Sequence, residues 1–146
     1  MIEGADYLVL DGSVTLAWSL SDESSDYADR VLEDLATHPA LVPSIWLLEV
    51  ANALLVAERL NRCTVAESAG IIAVLGSLPI AIEASTAERA FGDVTNLGRA
   101  HGLSAYDAAY LDLAIRHGIP LATLDERLIE AAAQTGVAIY VPTGGG

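Results

Sequence analysis

Apolar positions along the chain fall into two alternating patterns: short unbroken runs, and longer stretches in which they return every three or four residues. The runs "YLVL", "ALVPS", "PIAIEA", "IPLATL" and "VAIYV" have the length of buried strands. The stretches between them have helical spacing. "SVTLAWSL" follows the first run with Ser13 as a candidate N-cap, and "ESSDYADRVLEDLATH" puts Tyr27, Val31, Leu32 and Leu35 on one helical face. "SIWLLEVANALLVAERLN" predicts the most hydrophobic helix, one with little face for solvent, and "TVAESAGIIAVLGSL" the next. "STAERAFGDVTNLGRAHG" reads as one helix ended by Gly102 after His101. "SAYDAAYLDLAIRHG" and "DERLIEAAAQTG" complete the set, and the tail, residues 143–146, is expected to be disordered beyond a domain covering residues 1–142.

Five short strands alternating with helices predict an α/β fold: a central parallel five-stranded sheet with helices on both faces, since parallel strands need crossover connections. The 146 residues suit one domain. In such sheets ligands bind beyond the carboxyl ends of the strands, at a topological switch point. Asp11 stands at one such end, directly after "YLVL", and Asp125 at another, after "IPLATL". Glu49 shares its apolar stretch with a single other polar residue, Asn52, and an ionised group is rarely buried there without a partner. Asp107 falls in the first turn of its helix, where the dipole favours an anion. Four carboxylates from separate segments are thus expected to converge at one edge of the sheet.

Each also has a purely structural role open to it. Asp11 could cap the turn before the first helix. Ser104 with Asp107, and Thr123 with Glu126, match the spacing of a capping box. Glu49 could pair with Arg99 or Arg116.

Composition narrows the setting. Hydrophobic residues make up 53% and charged residues 18%, which still allows a polar surface, and Glu49, Asn52, Ser77 and Pro79 interrupt the apolar stretches before they reach membrane-spanning length. The acidic start "MIEGAD" is unlike a secretory signal, and the lone Cys63 suits a reducing cytoplasm. The 20 acidic residues outnumber the 7 basic ones, for a net charge of -13, and no lysine is present. Such a surface repels polyanions and attracts basic proteins.

Taken together, "LVLDGSV", "IWLLEVANAL", "LSAYDAAYLDLA" and "LATLDERL" resemble the four acidic motifs of the PIN-domain family, specifically the VapC-type ribonuclease toxins of toxin-antitoxin pairs. The resemblance covers nearly the whole chain. It implies that Asp11, Glu49, Asp107 and Asp125 are catalytic, metal-binding acids, with Ser13 and Thr123 as polar helpers. It further implies an endoribonuclease with an RNA substrate and a cognate antitoxin that inhibits it. Two departures stand out. Asp112, in "YLDLA", reads as a solvated or supporting position, and an RNA enzyme without lysine must find its phosphate contacts among arginines such as Arg99, Arg116 and Arg127.

The chemistry fits the residue types, because carboxylate oxygens suit one or two Mg²⁺ or Mn²⁺ ions and no Cys or His cluster suggests zinc. His38, His101 and His117 sit near helix ends and read as surface residues. A phosphoryl-acceptor aspartate is a weaker reading, because Ser13 stands where such phosphatases carry a second Asp and a receiver domain would need a lysine. The remaining rival is a non-catalytic acidic module that binds a basic protein. The apolar surface of "TVAESAGIIAVLGSLPIAI" leads us to expect a homodimer.

Overall fold

The computed structural model describes residues 6–20 and 25–143. β1 (Leu8–Leu10) leads into α1 (Gly12–Ser19) and α2 (Asp26–Asp34), β2 (Ala40–Pro43) into the helical pair α3 (Ile45–Arg59) and α4 (Val65–Ser77). After β3 (Ile80–Glu83) come α5 (Thr86–Arg89), a π-helical turn (Ala90–Val94) and α6 (Thr95–His101), then α7 (Ala105–His117), β4 (Leu121–Ala122) and α8 (Glu126–Thr135). The strands form one parallel sheet in the order β3-β2-β1-β4. β1 therefore has β2 on one side and β4 on the other, so the chain reverses its direction of travel at β1. Leu8, Val9, Leu10, Leu41, Val42 and Leu121 are buried, and Tyr110, Leu111 and Leu113 of α7 pack on them. Among the described residues no helix is long and apolar enough to cross a membrane.

The expected fifth strand is reduced to one bridge, Leu121 with Ile139, so the sheet has four strands. Only Leu121 offers both its N–H and its C=O outward, to Ala138 and Tyr140. The next pair on that edge would need the amide of residue 142 for the Thr123 carbonyl, and Pro142 has no N–H to give, while the Tyr140 carbonyl already takes the Tyr27 hydroxyl. The tail expectation also changes at its first residue: the Thr143 amide donates to the buried carboxylate of Asp34 at 2.7 Å, which also takes the Tyr140 hydroxyl. Residues 144–146 lie outside the described residues.

The single helix expected over 85–102 is interrupted by the π turn, whose Phe91 is fully exposed. The Thr95 hydroxyl donates to the Ala90 carbonyl five residues back, which stabilises the widened turn. Gly102 ends α6 in the left-handed conformation, φ 64°, as its position implied. α3 departs from expectation. Its stripe of Trp46, Val50, Leu54 and Ala57 is buried, yet Leu47 and Leu48 on the other side are exposed, the latter at 73%, as are Ile72 and Val74 of α4. The helix is hydrophobic all round because it has two apolar faces, and the fold covers one.

Candidate active site

The turn after β1 begins the site. Asp11 is only 5% exposed, and its Oδ2 accepts hydrogen bonds from the Ser13 and Thr123 hydroxyls, each at 2.7 Å. The Ser13 oxygen also accepts from the Leu124 amide at 3.0 Å, so this residue ties the β1 turn to the β4 turn. Asp11 rather than Ser13 occupies the N-cap position of α1, without a capping bond from its side chain. Burial raises the pKa of Asp11 above the ordinary carboxylate range and nearby Asp125 adds to the rise, while the bonds from Ser13, Thr123 and the Gly12 amide oppose it.

Glu49 enters from α3. It receives the hydroxyl of buried Tyr110 from α7, in place of either arginine considered as its partner. Arg116 is engaged elsewhere, and Arg99 donates to Asn96 at 3.3 Å. A β-carbon added at Gly12 would lie 3.6 Å from Glu49 Oε1 and 3.7 Å from the Tyr110 hydroxyl, which fixes both beside the Asp11 turn. Burial raises the Glu49 pKa, with Asp11 and Asp107 contributing in the same direction.

Asp107 sits in the first turn of α7, where its amide donates to Ser104 Oγ at 3.1 Å. Its pKa is raised by burial and by Asp11 and Asp125, against the effects of Ser104 and Arg127. Asp125 caps α8, accepting from the amides of Arg127 and Leu128 at 2.9 and 3.1 Å. The Thr123–Glu126 capping box therefore does not form, and Thr123 serves Asp11 instead.

The four acids thus gather at the switch point between β1 and β4, where the charges of Asp11, Glu49 and Asp107 are each disfavoured by a neighbouring acid. Among the described residues, no three Asp, Glu, His or Cys side chains are gathered tightly enough to hold an ion as they stand. The histidines lie elsewhere: His38 beside Thr37 and Tyr140, His101 on Gln134, His117 on Glu83.

Two features escaped the sequence reading. Tyr110 is one, although its place three residues after Asp107 on a helix puts both on one face. The other corrects the reading of Asp112, which is 3% exposed rather than solvated. Arg89 grips it with two bonds, of 2.7 and 2.9 Å, and Arg116 adds a third at 3.0 Å before reaching on to Glu83. Arg116 is therefore committed to the fold, and the charge of Arg127 reaches Asp107.

This geometry meets a family model: the one described as the PIN domain matches residues 8–134. The chain belongs to the PIN domain family. It is 30% identical over 123 residues to Ribonuclease VapC3 of Pyrobaculum aerophilum, covering 84% of this chain and 92% of that one. Among solved structures it is similar to PAE2754 from the same organism, at 27% identity and a TM-score of 0.63, with 89% of this chain and 83% of that one covered. VapBC2 from Rickettsia felis, bound to a DNA fragment from their promoter, shares the fold at 14% identity and a TM-score of 0.67, over 92% and 97% of the two chains. Within this PIN domain the four acids occupy the carboxyl edge of the parallel sheet.

Proposed function

We propose that this PIN-domain protein is a metal-dependent endoribonuclease toxin that hydrolyses RNA phosphodiester bonds and is inhibited by a cognate antitoxin. One observation carries the reading: four carboxylates meet at the switch point, and three of them are pushed toward protonation by burial and by one another. A divalent cation relieves that repulsion. Asp11, Glu49, Asp107 and Asp125 would hold one or two Mg²⁺ or Mn²⁺ ions, which supply activation of water and neutralisation of charge on the phosphodiester. The chain's own groups orient the acids. Ser13 and Thr123 aim the Asp11 carboxylate, Tyr110 holds Glu49, and Arg127, whose charge reaches Asp107, would contact the phosphate. The likeness to Ribonuclease VapC3 supports this reading.

Incubating the purified chain with RNA tests it. Cleavage is expected with Mg²⁺ or Mn²⁺ and is abolished by excess chelator. Full-rate cleavage in chelator removes the metal mechanism, and no cleavage with either cation favours the acidic module that binds a basic partner. The antitoxin is expected to bring an arginine-bearing segment over the acidic cleft, with an affinity that falls as salt rises. The exposed apolar side of α3 and α4 is assigned to a second copy of this chain. Light scattering that finds one chain per particle at micromolar concentration removes that assignment.

Tyr110→Phe probes the orientation of Glu49. The ring still packs, but the carboxylate loses its donor. Half-saturation by Mg²⁺ or Mn²⁺ is expected to rise about 10- to 100-fold, the usual effect of removing a group that orients a ligand. The readout is the metal-induced rise in melting temperature, followed alongside cleavage. Unchanged half-saturation would show that Tyr110 only packs.

A further inference from the structure

Tyr27, Tyr140 and Tyr110 all bind their hydroxyls inside the fold, to the Tyr140 carbonyl, Asp34 and Glu49. Tyr106 does the reverse. It is 62% exposed, and its hydroxyl makes no hydrogen bond among the described residues. It immediately precedes Asp107, and it lies four residues before Tyr110, so the two tyrosines share one stripe of α7. Tyr110 defines where that stripe points, because it reaches Glu49 on α3. Helical side chains lean toward the helix N-terminus, so Tyr106 stands one turn farther out, at the Glu49 side of the acidic cluster's mouth.

The charges explain why an aromatic group is needed there. The chain carries seven arginines, no lysine and a net charge of -13, and Arg89 and Arg116 are already bound to Asp112. Electrostatic attraction for a polyanion is correspondingly weak. Stacking on a base needs no charge, and every base offers a π face, provided that it is unpaired.

We propose that Tyr106 is a base-stacking platform beside the scissile phosphate, which holds the nucleotide next to the cut through an aromatic face. This rests on the nuclease reading above. Tyr106 is a binding and specificity residue, outside the set that holds the metal.

The experiment measures kcat and KM on a short single-stranded RNA in Mn²⁺, with a series of the same RNA carrying one abasic nucleotide at each position around the cut. Tyr106→Ala is expected to raise KM about 5- to 150-fold, the range for one lost base stack, while kcat holds. Tyr106→Trp is expected to restore KM toward the wild-type value. In the wild type, one abasic position should raise KM comparably, and that penalty should vanish in Tyr106→Ala, because both changes remove the same contact. An unchanged KM in Tyr106→Ala overturns the proposal and leaves the nuclease reading standing. A wild-type abasic penalty spread evenly over all positions overturns it as well, whether or not the variant folds. Wild-type protein that cleaves no RNA in either cation removes the nuclease reading and this inference together.

Discussion

Replacing Asp107 with Asn is expected to remove most RNA cleavage while leaving the metal-free protein as stable as before or more stable. The loss should reach at least about 10²-fold, the scale for deleting one preorganised electrostatic group from an active site. The stability half follows from linkage. Burial, Asp11 and Asp125 raise the Asp107 pKa in the folded state, so its ionised form is worse off folded than unfolded. At neutral pH that charge works against folding, and a neutral amide of the same shape removes the penalty. Added Mg²⁺ should correspondingly stabilise the variant less than the wild type. A cap or helix-dipole role predicts the other sign, a cost of roughly 0.3–1 kcal/mol with or without metal. Ser104→Ala is the control: the Ser104 hydroxyl caps α7 by accepting from the Asp107 amide, so its removal should cost about 1 kcal/mol and leave metal dependence intact. Urea unfolding of the three proteins in chelator and in Mg²⁺, beside RNA cleavage, separates the two roles. A folded and fully active Asp107→Asn protein would sink the catalytic assignment.

Asp112→Ala should be strongly destabilising although it lies outside the site. It removes the buried carboxylate that two guanidinium groups share, leaving Arg89 to Asp93 and Arg116 to Glu83, with side-chain exposures of 28% for Arg89, 20% for Arg116 and 5% for Asp112. Breaking a buried ion pair from one side costs about 3–5 kcal/mol, and the low end applies because both arginines keep some contact with water. The melting temperature should fall by roughly 10 °C. Below that temperature RNA cleavage should persist, since Asp112 bonds to none of the four site acids. The same network predicts the acid limb of stability. Burial alone would raise the Glu83 pKa, but bonds from Ser85, Arg116 and His117 outweigh it and hold the group at about 2, below its ordinary 4.5. A carboxylate with a depressed folded pKa stabilises above the unfolded value and loses that contribution as pH falls toward the folded one. The stability difference between wild type and Glu83→Gln should therefore shrink between pH 4.5 and 2. A difference that stays constant over that interval would show that the network contributes nothing through ionisation.

Much of this protein is legible in the local chemistry of its chain. The runs "YLVL" and "ALVPS" become strands, and the places of Asp11 and Asp125 just beyond strand ends follow from where those runs stop. Gly102 ends a helix because only a residue tolerant of positive φ does so at little cost. Those features depend on neighbours within about four residues, which a sequence displays directly. What remained hidden depends on partners far apart in the chain. Glu49 meets Tyr110 across 61 positions, and Asp112 meets Arg89 across 23, because α7 packs across β1 and β2 and selects which side chains face one another. The last strand failed for a related reason: the Tyr140 carbonyl is taken by Tyr27, from 113 positions away, and Pro142 brings no amide to extend the ladder. By itself, then, the sequence determined the first three strand runs, most of the helices and the places of Asp11 and Asp125 beyond strand ends, since dihedral preference and periodicity are local. Only the tertiary structure decided which polar groups are paired, which apolar face of α3 is left to solvent and how deeply each acid is buried, since these depend on how helices cross the sheet.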